Sequence, residues 1–508
     1  MEMKRKYLYS GLVGALLLAL QACSLNYDPV DTYSDVTEGT NEAGKEVVFK
    51  DKQAVVSHVA SFYKLLRDRQ EHWYMDLLMI AETHSDNAYG GVTNAEVMPF
   101  ENNSIEGSNS VIDRDWSRYL ADVSAANKLI CNIDEVTDPA LTSSEKVTFT
   151  AVAKLFRAMV YFDMVRLWGR VPVITTVAGD ITSETIEEVY PQYFPFQNSD
   201  EEVYKQIEQD LLDAIKDAPD FAAGDKTILS KTVAKALLVK VYAEKPLRDY
   251  AKVIQYADQV AADGCGLVED FSDLFGMNET KTDTKMRNTK ESILEMQYFP
   301  GNGNWVTWMF GRDLINWNSN FTWAKWVTPS RDLIAQFISE GDQVRFKESV
   351  VYYKCDWSNY YPKDNYPFMY KCRSAYSSII KYRYADVLLL KAEALIMKES
   401  PDLGAAAAII DQVRQRAGLA KLSSGVKGNQ ASMLEALLKE RRLELAFEGQ
   451  RWFDLVRLDK VEGVMNSVFS KDSGRKAMKY VFGSNSYYLP IPQAAIDQNP
   501  NLVQNPGY

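Results

Sequence analysis

The segment Glu440–Leu458 reads ERRLELAFEGQRWFDLVRL and combines many charged side chains with large apolar ones. Glu440, Glu444 and Glu448 recur every four residues, so they predict one acidic stripe along a helix. Leucine, tryptophan and valine residues at helical spacing predict an apolar side for the same helix. Gly449 interrupts the run. Because glycine inside a helix costs about 1 kcal/mol relative to alanine, it indicates a bend or a close backbone contact.

Arginines accompany this acidic stripe, since Arg441 and Arg451 each lie three residues from a glutamate, within side-chain reach on a helix. So many carboxylates and guanidinium groups could mark an active site. Arginine is, however, the usual partner of a carboxylate in a half-buried helix, where such pairs fix packing without doing chemistry. We therefore interpret the segment as a structural ion-pair network.

Together with this segment, four others resemble the SusD/RagB family of surface glycan-binding lipoproteins of Bacteroidetes. These four are Trp116–Asn127, Tyr161–Ile174, Thr328–Arg345 and Tyr487–Tyr508. The resemblance implies a mainly α-helical fold, in which a tetratricopeptide-like helix-pair scaffold carries a loop-rich face and a few short strands. Lys231–Ala261 and Arg383–Ala417 fit that scaffold, because each spans about the 34 residues of one tetratricopeptide repeat.

The N-terminal residues predict export. Lys4-Arg5-Lys6 is basic, and Gly11–Leu20 is apolar but too short to span a bilayer as a mature helix. LQAC at residues 20–23 looks like a lipobox, so we predict a lipoprotein signal peptide at 1–22 and lipid attachment at Cys23. An ordinary signal peptide with an incidental cysteine is the alternative. Acyl chains on the cysteine would hold the protein at a membrane.

The chain after the signal peptide is predicted to form one tether and two parts of a single scaffold. The ranges are 23–50 for the lipidated tether, 51–265 for the N-terminal helical part, and 266–508 for the C-terminal part with an aromatic-rich insertion at 266–382. The insertion is predicted to interrupt the helical pattern, and the segment Ser292–Phe299 within it is strand-like.

Composition and motifs exclude several functions. The formal net charge is −12, which argues against nucleic acid as a partner, because cationic contacts to phosphate supply most of that affinity. The chain has three histidines and no HExxH or Cys/His cluster, so we predict no metal site and no cofactor. Cys355 and Cys372 bracket a tyrosine-rich loop and could pair, or could equally be two separate core residues.

The sequence gives no support for an enzyme, because it contains neither a nucleophile elbow nor a catalytic Cys/His pair. A glycosidase needs only two carboxylates at a suitable separation, so that reaction stays open as a less favoured alternative.

Sugar binding needs flat aromatic rings for the apolar faces of a pyranose and planar polar groups for its hydroxyls. A polar loop at 84–102 and an aromatic stretch at 301–326 supply both. In the family, sugar sites combine an early loop with a mid-chain aromatic insertion. Our candidate glycan-binding residues are Asp86, Asn87, Tyr89, Asn94, Asn304, Trp305, Trp308, Trp317 and Trp323. For any single tryptophan, burial in the core is the competing expectation.

The resemblance implies a function as well as a fold. It predicts a lipid-anchored protein of the outer membrane, exposed at the cell surface, that captures oligosaccharide or polysaccharide. The captured glycan would pass to a SusC-like TonB-dependent transporter. Capture of peptide or another nutrient, as in the RagB branch, is the alternative within binding proteins. A structural transporter subunit with buried aromatic residues is a further one.

Overall fold

The computed structural model describes residues 47–91, 94–299, 301–307, 326–355 and 359–508. Its helices up to residue 262 are α1 (Lys52–Asp68), α2 (Asp76–Thr83), α3 (Met98–Glu101), α4 (Ser110–Asn132), α5 (Ser143–Trp168), α6 (Ile186–Val189), α7 (Asp200–Asp217), α8 (Lys231–Ala243) and α9 (Tyr250–Ala262). A π-helix, Glu71–Met75, joins α1 to α2. The predicted mainly α-helical fold is confirmed.

The later helices are α10 (Ser272–Phe275), α11 (Arg331–Glu340), α12 (Gln343–Ser349), α13 (Tyr384–Met397), α14 (Leu403–Arg416), α15 (Ser424–Lys427), α16 (Gln430–Glu444), α17 (Arg451–Arg457), α18 (Val461–Lys471) and α19 (Gln493–Gln498). Short 3-10 turns occupy Ile133–Glu135, Tyr190–Tyr193, Lys245–Leu247, Lys363–Asn365 and Ser484–Ser486. The insertion at 266–382 therefore contains the helices α10 to α12, and the expectation that it lacks helical pattern was wrong there.

Helices packed in sequence form the scaffold. Helix α5 packs on α4 and α7, α7 on α8, α8 on α9, and α9 on α13, which pairs with α14. Residues 155–168 of α5 are all buried, so this helix lies in the centre of the core. The two predicted helix pairs are confirmed as α8 with α9 and α13 with α14. Among the described residues, no helix is long and apolar enough to cross a membrane.

Local sequence signals explain where α5 begins and ends. Thr142 and Glu145 form a capping box at the start of the helix. Gly169 ends the helix with φ of +70°, a conformation that glycine adopts readily. A side chain there would also meet the Tyr488 ring, whose atoms come within 3.1 Å of a Cβ built on Gly169.

In the part of the chain that the structure describes, there are three antiparallel two-stranded sheets, two of which join segments that are far apart in sequence. The strands are β1 (Ala88–Tyr89), β2 (Ser292–Met296), β3 (Thr328–Pro329), β4 (Val350–Tyr353), β5 (Tyr366–Met369) and β6 (Ile379–Arg383), paired as β1 with β3, β2 with β6, and β4 with β5. The strand predicted within Ser292–Phe299 is confirmed as β2. The pairing of β1 with β3 fixes the early loop against the middle of the chain.

Gly449 lies in a break between two helices, because α16 ends at Glu444 and α17 begins at Arg451. Its φ is +70°, and its N–H donates to the Glu82 carboxylate at 2.9 Å. The predicted bend and close backbone contact are both present. The acidic stripe is shorter than predicted, however, since Glu448 lies beyond the end of the helix.

Candidate functional site

Asp86 is buried and has two arginine partners. Arg451 donates through Nε and Nη2 at 2.7 and 2.9 Å, and Arg442 Nη2 lies 3.1 Å from Asp86 Oδ2. Burial alone would raise the pKa of Asp86, but the two guanidinium groups lower it below its ordinary value. The prediction that Asp86 binds glycan is therefore corrected, because its carboxylate is committed to fixing the early loop.

Asn87 and Tyr89 also point into the core, because their side chains form hydrogen bonds with other buried residues. The Asn87 amide donates to Glu82 Oε2 at 2.8 Å and accepts from Arg442 Nε at 2.9 Å. The Tyr89 hydroxyl donates to Asp472 at 2.7 Å, and its ring stacks on Tyr360 with centroids 4.8 Å apart. Both side chains are fully buried, so they too are withdrawn as direct glycan contacts.

Asn94 is the exposed candidate of the early loop. Its Oδ1 accepts a hydrogen bond from the Val97 backbone N–H at 3.0 Å. That bond fixes the local loop conformation and uses the side-chain oxygen of an exposed residue. Asn94 therefore stays in the proposed site.

Asn304 is buried and organises the backbone of the second predicted segment. Its Nδ2 donates to the carbonyls of Ser374 and Ser377 at 3.0 and 2.7 Å, and its own N–H donates to Ala375 O at 2.7 Å. Asn304 is thus corrected from a direct glycan contact to a residue that positions its neighbour, Trp305.

Trp305 is 49% exposed. Its backbone N–H donates to Gln70 Oε1 at 2.8 Å, so the indole extends outward from a fixed attachment point. Burial, the competing expectation for a single tryptophan, is wrong for Trp305. Trp308, Trp317 and Trp323 lie outside the described residues.

Phe299 is a second exposed ring, at 48%, which the candidate residues chosen from the sequence did not include. Phe299 and Asn302 exchange backbone hydrogen bonds of 3.3 and 2.9 Å, which fold the chain into a turn toward Trp305. Gly301, with φ of +89°, permits the turn. The Gly-Asn-Gly-Asn run after a strand ending in an aromatic residue was the available signal for an exposed ring. We call residues 299 and 301–307 the aromatic turn.

Arg287 holds the Phe299 ring from beneath. The Cζ of Arg287 lies 4.4 Å from the ring centroid, and its guanidinium donates to Asp283 at 2.9 and 2.7 Å and to Tyr298 O at 2.9 Å. A cation over a ring face attracts its π-electrons and adds a fixed contact. The aromatic turn therefore presents two rings on a backbone that is already ordered.

The chemistry available at the aromatic turn is noncovalent. Flat rings stack on apolar C–H faces, and the exposed Asn302 next to them supplies both a donor and an acceptor. Within the described part of the chain, no three His, Cys, Asp or Glu side chains converge to hold a metal ion. Cys355 and Cys372 are thiols in this structure, so the disulfide alternative is not realised.

The ion-pair network around Glu444 is buried, as the structural interpretation of the opening segment requires. The Glu444 carboxylate forms ion pairs with the guanidinium groups of Arg383, at 2.6 Å, and Arg345, at 3.1 Å. It also pairs with Arg416. Burial alone would raise the pKa of Glu444, but these three guanidinium groups hold it well below its ordinary value. The carboxylate thus stabilises the packing of helices that are far apart in sequence.

Arg441 and Arg451 do not pair with the glutamates three residues away, which helical spacing predicted. They form ion pairs with aspartates that are farther away in sequence. Arg441 binds Asp386 and Asp454, each at 2.8 Å, and Arg451 binds Asp86. The prediction was wrong on this point because the helix ends at Glu444 and α17 folds back beside α16, where Asp454 reaches Arg441.

Two family models match the chain. Residues 278–508 match the SusD family, and residues 40–243 match a family described as starch-binding and associating with the outer membrane. The helix-pair scaffold with these two matches defines an outer-membrane-associated, SusD-like class of protein. The chain belongs to the SusD/RagB family, which the sequence resemblance had indicated.

Relatives and solved structures agree with that assignment. A SusD-like protein of Formosa agariphila is 27% identical over 451 residues, covering 79% of this chain and 81% of the relative. A laminarin-binding SusD-like protein has the same fold, with a TM-score of 0.71 at 23% identity over 91% of this chain and all of that one. A surface glycan-binding protein of Bacteroides thetaiotaomicron, solved with laminarihexaose, gives 0.70 at 18% identity over 90% and 100%.

Proposed function

We propose that this protein captures oligosaccharide or polysaccharide at the outer face of the outer membrane and delivers it to a SusC-like TonB-dependent transporter. The aromatic turn is the proposed contact surface, and the exposed Asn94 of the early loop is proposed as a further contact. The observation that carries the proposal is the pair of half-exposed rings, Phe299 and Trp305, in a protein of this family.

The ordered backbone of the aromatic turn matters for affinity. A flexible loop would lose conformational freedom on binding, and that loss would offset part of the stacking energy. Here Asn304 and Gln70 already fix the turn through hydrogen bonds, and Arg287 fixes the Phe299 ring. Binding then needs no covalent step and little rearrangement, which suits a protein that must release its ligand to a transporter.

The first saccharides to test are β-glucans. Two proteins of the same fold are described as binding laminarin or laminarihexaose. A panel of laminarin, starch, xylan and mannan in native gels would identify the polysaccharide, with peptide mixtures as the alternative ligand. We expect retarded migration in gels cast with the bound polysaccharide.

The decisive variant is Trp305→Ala. Truncating a central aromatic contact costs about 2 kcal/mol or more in affinity, so we expect at least a tenfold loss of polysaccharide binding. Phe299→Ala should weaken binding in the same direction. The matched control is Tyr190→Ala, which removes a similarly exposed ring from another part of the surface. Wild-type affinity in both Trp305→Ala and Phe299→Ala would refute the proposed surface.

Anchoring and delivery have separate tests. Cys23→Ala should move the protein from the membrane fraction to the soluble fraction, because acyl attachment needs the cysteine. Detergent extraction of wild-type membranes should co-purify an outer-membrane transporter with the protein.

Incubation of the protein with the bound polysaccharide should release no smaller sugars, since no cleavage step belongs to the proposal. Released products would favour the glycosidase instead.

A further inference from the structure

We propose that a second saccharide site lies in the cleft between residues 103–107 and the segment 480–508. This inference rests on the proposed function and adds a second contact surface to it. The cleft has a volume of about 670 Å³, within the range of roughly 300–1,000 Å³ that small-molecule sites occupy.

Two tyrosine rings line the cleft. Tyr480 is 57% exposed and Tyr508 is 40% exposed, so each presents ring surface to solvent. The Tyr508 hydroxyl donates to Tyr488 O at 3.1 Å, and the ammonium of Lys479 lies 5.2 Å from the Tyr480 ring centroid. Each ring therefore has one neighbouring polar contact and keeps exposed surface on which a sugar can stack.

Polar groups beside the rings divide into those that build the cleft and those that face solvent. Asn103 builds it, since its amide donates to Tyr480 O and to Ser486 Oγ, both at 3.0 Å. Asn485 and Gln493 are exposed and line the cleft with amide groups. Amides offer a donor and an acceptor in one plane, which matches neighbouring hydroxyls on a sugar ring.

Gly507 shows that the cleft depends on a close approach of two segments. Its φ is +99°, and a Cβ there would lie 2.7 Å from the Asn485 Cβ. Only glycine therefore allows the chain to pass so close to Asn485. This contact brings Tyr508 and Asn485 to the same opening.

The charge of the lining indicates the class of ligand. Among the described side chains that line the cleft, Glu106 is ionisable in addition to the tyrosines, and Lys479 Nζ lies 3.6 Å from its carboxylate. A nearly balanced lining of rings and amides does not attract strongly charged molecules. We therefore assign a neutral oligosaccharide to the cleft, in preference to a uronic acid polymer or a charged peptide.

The cleft is separate from the aromatic turn in its construction. The turn is held by Gln70 and the segment 374–377, and none of those residues lines the cleft. Two sites on one protein would engage a long polymer at two points and raise its apparent affinity above that of a short oligosaccharide. The cleft should thus matter more for polymers than for hexasaccharides.

The test uses the full-length lipoprotein in detergent, titrated calorimetrically with laminarihexaose and with laminarin. Tyr480→Ala and Asn485→Ala are the cleft variants, each at an exposed position, and Tyr190→Ala is the control. We expect a loss of at least fivefold in laminarin affinity for both cleft variants. The Trp305→Ala/Phe299→Ala protein should keep a weaker laminarihexaose site, and adding Tyr480→Ala should abolish it.

The outcomes separate the two proposals. Unchanged laminarin affinity in both cleft variants, with loss in Trp305→Ala, would overturn the cleft and keep the aromatic turn. Loss only in the cleft variants would support the cleft and overturn the turn. Absence of binding by the wild type to laminarin, starch, xylan and mannan, all neutral, would overturn the cleft, while binding of a charged polysaccharide would leave the general function standing.

Discussion

The ion-pair network around Glu444 and the aromatic turn are both fixed by hydrogen bonds, but the network buries its side chains and the turn exposes its rings. In the network, the buried carboxylate of Glu444 forms ion pairs with Arg345, Arg383 and Arg416. In the turn, the polar backbone groups are satisfied while the rings of Phe299 and Trp305 face solvent. The comparison teaches that the partners of a side chain, more than its chemical type, separate a structural residue from one that can contact a ligand.

Glu444→Gln should give the largest effect, and it should be on stability. Removing one member of a buried charge network leaves cations without a partner, which costs about 3–5 kcal/mol. We expect that loss in the free energy of unfolding measured with urea. Glu435→Gln on the same helix, where the glutamate is exposed and pairs with Lys460, should cost less than about 0.5 kcal/mol. Equal effects would show that the network does not contribute as described.

Asp86→Asn should come next and tests the corrected role of the early loop. Hydrogen bonds to charged groups contribute about 1.5–3 kcal/mol, and the substitution weakens those from Arg451 and Arg442. The protein should lose roughly that stability and keep its polysaccharide affinity when fully folded. Asn94→Ala in the same loop should show the reverse pattern. Lost affinity with unchanged stability in Asp86→Asn would restore Asp86 to the binding site.

The buried Glu82 should make stability depend on pH. Burial raises its pKa to about 7, despite hydrogen bonds from Asn87 and Gly449 that favour the ionised form. The folded state then keeps a proton that the unfolded chain loses above its ordinary pKa of about 4.5, so stability should fall as pH rises from 4.5 to 7. The slope is at most about 1.4 kcal/mol per pH unit.

Urea unfolding across that pH window in Glu82→Gln should show a smaller slope than the wild type. Glu435→Gln, at an exposed position, serves as the control for general charge effects. An unaltered slope in Glu82→Gln would mean that another group titrates there.

Gln70→Ala should give the smallest effect. It tests whether the hydrogen bond that fixes the Trp305 backbone contributes to polysaccharide binding. It removes the acceptor of the Trp305 N–H and should cost about 1 kcal/mol in stability. Polysaccharide affinity should fall two- to fivefold, because the indole remains but is held less firmly. Affinity equal to that of the wild type would indicate that orientation of Trp305 does not limit binding.

The helices were predictable because their signals are local. Periodicity identified α8, α9, α13 and α14, and Gly169 marked the end of α5. The family resemblance in five segments added the scaffold, which periodicity alone could not specify. The short helices in the insertion escaped prediction because runs of four to ten residues carry few repeats of the helical period.

The side-chain partners were less predictable. Nothing local to Asp86 shows that arginines more than 350 positions later will bury it. A polar loop that faces solvent and one that docks into the core have the same composition, so three of its four candidates were misassigned. The exposure of Trp305 agrees with the expectation that a Gly/Asn-rich stretch does not bury every ring it carries, and its contact with glycan stays a prediction.

The pairing of Asp86 with Arg442 and Arg451 also bears on the order of folding. Closing a loop of such length costs chain entropy before any contact compensates, so these ion pairs form late. The segment around Asp86 therefore cannot be fixed by them until Arg451 has been added to the chain. A chain halted before that residue would carry an amino-terminal half without these ion pairs.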